Sequence, residues 1–85
     1  MILHTIDLEP ENFQPVYSGE ASAITRENTD PIKSGDAILL REIVEEAPTG
    51  FWGLRLVTSV LPVAGTDLNL ISFVPKIRVY NGETL

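Results

Sequence analysis

Gly35-Asp36-Ala37-Ile38-Leu39-Leu40-Arg41-Glu42-Ile43-Val44 is the stretch that decides how this chain folds. Glycine followed by aspartate makes a turn, and the run after it is apolar and rich in branched residues. That length and composition predict a strand over Ala37 to Val44. Glu45 to Gly50 reads as a connecting turn, with Pro48 and Gly50 as breakers. A second strand then runs from Phe51 to Leu61. Its period of two puts Trp52, Leu54, Leu56 and Thr58 on one face, and Phe51, Gly53, Arg55 and Val57 on the other. Core packing is expected for Phe51, and an exposed position for Trp52, which follows the turn.

Working outward, Ile2 to Ile6 is a short segment that sets Ile2, His4 and Ile6 at alternate positions and predicts a first strand. Glu9-Pro10-Glu11-Asn12 then opens a short helix, because proline suits a first turn whose N–H groups are unsatisfied, and acids favour the positive end of the dipole. Phe13, Val16 and Tyr17 share one helical face. Ser18-Gly19 ends the helix, where glycine accepts a left-handed turn. Ala21 to Thr25 predicts another strand, and Arg26 to Gly35 a polar loop. Beyond a loop over Pro62 to Asp67, Leu68 to Val74 and Lys76 to Tyr80 are strand candidates separated by Pro75. Residues 81–85 read as a tail.

The chain is therefore expected to be one domain over residues 1–80, mostly β (α+β), with five or six strands and one short N-terminal helix. A twisted sheet of this size hides its edges economically as a small, partly open β-barrel.

Composition narrows the chemistry. The 85 residues contain no cysteine, and the net charge is −6. Thiolate chemistry is excluded, and a cytoplasmic setting (the host cytoplasm for a phage-encoded chain) is expected. The negative charge opposes non-specific binding to nucleic acid. Met1 to His4 has neither the basic region nor the apolar run of a signal peptide, and no membrane span is expected. The glycines form no phosphate loop, and no serine has a nucleophile-elbow context. One histidine with scattered acids is a poor zinc site, so no metal or cofactor is expected. His4 would need an orienting carboxylate to act as a base, and Asp7, Glu9 and Asp36 are the candidates.

From His4 to Glu42 the chain resembles the ASCH/PUA-like superfamily, in particular a small bacterial and phage branch classed as a domain of unknown function. The resemblance is carried by His4, Pro10-Glu11-Asn12-Phe13, Val16-Tyr17-Ser18-Gly19, Arg26-Glu27-Asn28, and Ser34-Gly35-Asp36-Ala37-Ile38-Leu39-Leu40-Arg41-Glu42. It covers about the first half of the chain and implies a PUA-like barrel with a nucleotide-accepting cleft. The family's Gly-x-Lys-x-x-Glu-x-Arg segment keeps Gly19 and Arg26, but Ala21 stands at the Lys position and Ile24 at the Glu position. Related enzymes that hydrolyse acetylated cytidine use that lysine. Alanine can neither attack a carbonyl nor carry a proton, so no catalytic residue is assigned.

The expected site is a cleft bordered by Arg26, Asn28, Lys33, Arg41, Trp52 and His4. Arginine offers a planar fork to phosphate or a base edge, and Asn28 a base-reading amide. The competing expectation is that Arg26 pairs with Asp30 or Glu27 and staples the loop. Three functions follow: a non-catalytic module binding RNA or a nucleotide; an acidic, phage-type protein that binds or inhibits a host protein; and a small ASCH amidohydrolase, which Ala21 and Ile24 oppose.

Overall fold

The computed structural model describes residues 1–29 and 31–75. Five strands and one helix follow in the order β1 (Leu3–Leu8), α1 (Pro10–Ser18), β2 (Ala23–Glu27), β3 (Ala37–Val44), β4 (Ala47–Pro62) and β5 (Leu68–Phe73). The expected strand over Lys76 to Tyr80, the tail after it, and Asp30 lie outside the described residues.

The strands form one mixed sheet in the order β1-β3-β4-β5-β2. β1 runs parallel to β3, with Leu3 opposite Ala37 and Leu8 opposite Glu42. That geometry requires a long return connection, which α1, β2 and the following loop supply. The β3–β4, β4–β5 and β5–β2 pairs are antiparallel. β4 is the organising strand. Its first part pairs with β3 as far as Leu56, and its second part pairs with β5 from Val57, with a register shift between Val57 and Ser59. A bulge bends and twists a strand. β4 thereby joins two half-sheets, and α1 packs inside, against β3 and β1. Among the described residues no ladder joins β1 to β2, so the sheet is open between them.

Inside lie Ile6, Phe13, Val16, Ile32, Ile38, Leu40, Val57, Ile71 and Phe73. α1 starts at Pro10 after an extended Glu9, whose carbonyl accepts from the N–H groups of Asn12 and Phe13. Gly19 closes it at φ 88°, a left-handed value that side chains resist. Tyr17 stacks on Phe13 (5.2 Å) and meets the edge of Phe51 (6.1 Å).

Strand ends differ from the expectation in instructive ways. β1 continues through Asp7 and Leu8 because β3 offers it partners there. β4 begins at Ala47, with Val44 opposite Ala47 and Ile43 opposite Pro48. The turn thus shrinks to Glu45-Glu46, both with positive φ (52° and 66°). The two faces of β4 are as expected, with Gly53, Arg55 and Val57 buried and Trp52 49% exposed. Phe51 is a correction. It sits on the inner face but is 57% exposed, because the helix covers it only through the edge of Tyr17.

Arg55 is wholly buried, at 0% exposure. Its guanidinium lies across Gly53, where an added Cβ would sit 2.9 Å from Nη1. Nη1 donates to the Leu54 carbonyl (2.8 Å), and Nη2 to those of Val16 (3.1 Å) and Tyr17 (3.4 Å). A cation is thus fixed on the carbonyl end of α1, where the helix dipole favours it. Burial lowers the Arg55 pKa, with Tyr17 opposing.

Candidate functional site

The end strands β1 and β2 face a common gap, because both contribute to the cavities between them. One cavity of about 140 Å³ is lined by His4, Thr5 and Ile6 of β1, Arg26 of β2, and Pro31 and Ile32 of the loop. Toward α1 the gap holds a largely apolar groove of about 430 Å³, whose walls include Leu8, Val16, Ala21 and Ile24 together with Glu11 and Asn12. Thr25 and Arg26, with Glu27 and Leu68, border a third hollow.

His4 is fixed from behind. Its Nε2 lies 2.8 Å from Asp36 Oδ2, and both side chains are nearly covered, at 13% and 10% exposure. The same carboxylate accepts the N–H of Lys33 on Oδ2 and that of Ile2 on Oδ1, both at 3.1 Å. The His4 ring and then the two amides hold the Asp36 carboxyl low, against burial, at about 2. Asp36 is therefore anionic at neutral pH and faces an Nε2–H, which leaves Nδ1 as the second ring nitrogen. Of the three carboxylates proposed as partners of His4, the parallel register selects Asp36. Leu3 pairs with Ala37, so the residue before Ala37 lies at the head of β1.

This arrangement predicts an acid limb in stability. Asp36 has a folded pKa below its ordinary value of 3.8, so its contribution is complete above about pH 4 and is lost as pH falls toward 2. Thermal melts between pH 7 and pH 2 are expected to show that loss, and Asp36→Asn is expected to flatten it while lowering stability at pH 7. Parallel wild-type and variant curves would contradict the assignment.

The other expected site residues are dispersed. Arg41 lies on the outer face, since its neighbours Leu40 and Glu42 point inward. It grips Asp7 through Nε–Oδ1 (2.8 Å) and Nη2–Oδ2 (3.0 Å). That bond lowers the Asp7 pKa, and the charge of Arg26 adds a smaller share. Trp52 is directly opposite Arg41 on β4, so it too faces outward. Asn28 is exposed beyond β2, where its N–H donates to the Asp67 carbonyl. Lys33 has an exposed side chain, and its backbone serves Asp36. Of the expected set, the small cavity brings together only His4 and Arg26.

Sequence reasoning missed the part played by Glu42. This buried carboxylate accepts from Thr49 Oγ1 (2.8 Å) and Gln14 Nε2 (3.4 Å), tying the start of β4 to α1. Among the described residues no helix is long and apolar enough to cross a membrane, and no cluster of three or more His, Cys, Asp or Glu is placed to hold a metal ion. Comparison with protein-family models and with curated proteins gave no match.

Proposed function

We propose that this chain is a non-catalytic, PUA-like binding module that takes RNA or a nucleotide in the gap between β1 and β2. The observation that carries the reading is the meeting of His4 and Arg26, far apart in sequence, on one cavity next to an apolar groove. A nucleotide has the matching parts: a flat ring for the groove, and phosphate for a guanidinium fork. On the PUA-like reading, the open five-strand sheet corresponds to that family's barrel. The positions matched to its lysine and glutamate are Ala21 and Ile24, which line the groove and pack against the core. Neither side chain can transfer a proton or attack a carbonyl, so the reading is binding rather than amide hydrolysis.

Titration of labelled protein with nucleoside monophosphates and short single-stranded RNAs tests this. Saturable amide shifts are expected at His4, Thr5 and Arg26. Arg26→Ala is expected to weaken binding about tenfold or more, the value of one charge-assisted contact. One or two phosphate contacts give a shallow salt dependence, with a log–log slope of about −0.7 to −1.4. If no peak moves around the cavity, the reading is wrong.

A second reading has its own observation. Leu3, Leu56 and Trp52 are exposed on the outer face, where α1 does not reach. An exposed tryptophan among leucines suits a protein-binding hot spot. Trp52→Ala abolishing a partner's binding while leaving nucleotide titrations unchanged would favour it.

A further inference from the structure

The small cavity has a chemistry narrower than nucleotide binding in general. His4 approaches it from β1 and Arg26 from β2. Asp36 fixes the imidazole through Nε2, and its own oxygens are already engaged by three donors. Among the described residues Nδ1 of His4 has no hydrogen-bond partner, and it is not sealed from solvent. The volume of about 140 Å³ gives room for one tetrahedral oxyanion.

We propose that His4 and Arg26 form an oxyanion subsite, suited to the terminal phosphate of a phosphate monoester, and that the anion enters together with a proton on His4. The proposal rests on the cavity reading above and names the part of the ligand that the cavity takes. Neutral imidazole, with Nε2–H turned to Asp36, presents only a lone pair at Nδ1, which repels an anion. Protonated imidazole presents N–H at both nitrogens, one for Asp36 and one for the ligand. Arg26 stays charged throughout and supplies the pH-independent share.

The charged surroundings permit this coupling. Asp36 faces His4 from the head of β3 and remains anionic across the range in which histidine titrates. Lys33, on the loop before it, adds an exposed cation. Asp7, further along β1, faces outward and is held by Arg41. Across the gap, β2 contributes Arg26 and the exposed Glu27.

Inorganic sulfate is the probe, because its charge does not change between pH 5 and 8, whereas a phosphate monoester titrates near pH 6. Sulfate is expected to shift the His4 and Arg26 resonances, and its affinity to fall by up to roughly tenfold per pH unit above the histidine range. The titration midpoint of the His4 Cε1–H resonance, followed in the wild-type protein, should rise at saturating sulfate. His4→Gln should remove the pH dependence, and Arg26→Gln the binding. Because His4→Gln also disturbs the Asp36 cluster, the wild-type midpoint is the decisive measurement.

A midpoint that sulfate leaves in place, or equal affinity at pH 5.5 and 7.5, overturns the proposal. Nucleosides binding the groove while sulfate fails to bind would reject the subsite and retain the binding module. Proton-linked sulfate binding without any nucleotide binding would do the reverse.

Discussion

Arg55→Ala is expected to cost about 4 kcal/mol. Two effects combine. Removing a fully buried long side chain leaves a cavity, and such truncations cost roughly 2–5 kcal/mol. The carbonyls of Val16 and Tyr17 also lose a charged donor at the end of α1. Small domains have only about 5–15 kcal/mol in total, so the variant should be close to unfolded at room temperature. Arg55→Met separates the effects. It nearly preserves volume but donates nothing, and is expected to cost about 2 kcal/mol, within the range for one charged hydrogen bond. Gly53→Ala should weaken the same contact from the other side by pushing a methyl group into the guanidinium. Urea denaturation ranks the set. A methionine variant as stable as the wild type would show that the bonds to the helix end contribute nothing, as happens when the desolvation of a buried charge outweighs its interactions.

The second large effect runs in the opposite direction. Glu45→Asn with Glu46→Gly is expected to stabilise the domain by about 2 kcal/mol. Both residues occupy left-handed backbone in the two-residue turn between β3 and β4. Each ordinary residue there costs roughly 1–2 kcal/mol, whereas Asn-Gly is the preferred pair for a turn of that hand. The exchange also removes two adjacent like charges. For a domain of this size the melting temperature should rise by roughly 8–16 °C. An unchanged or lower melting temperature would mean that the turn carries no such strain.

Much of the fold was legible in particular residues. Gly35-Asp36 and the apolar run after it gave β3 its observed limits, and the period of two sorted the faces of β4. The ends of β1 and β4 were not legible. Asp7-Leu8 and Ala47-Pro48 are strand only because β3 pairs with them, and pairing between distant segments overrides local preference. The site was legible in part. His4 and Arg26 were both singled out, yet nothing local states that they meet, or that Asp36 rather than Asp7 or Glu9 holds the histidine. Arg41 was expected in the cleft as a cation, but the parity of β3, which its apolar residues on both faces leave open, sends it outward. The buried Glu42 reverses the guess that hydrophobicity invites. Arg55 is a charged residue on a strand, which by type alone suggests exposure. Gly53, two residues earlier on the same face, was the clue that room had been left for a guanidinium indoors.

The two half-sheets joined through β4 also impose an order of assembly. A chain is synthesised from its N-terminus, so His4 and Arg26 are made before any residue of β3, β4 or β5. Each lies on a strand whose partner comes later in the chain. β1 needs β3 and β2 needs β5, whereas β3 to β5 can pair by short, sequence-local connections. Both outer strands thus wait for partners made after them. A released chain that ended before β5 would let β1 pair with β3, and so place His4 beside Asp36, while Arg26 still had no strand to lie on.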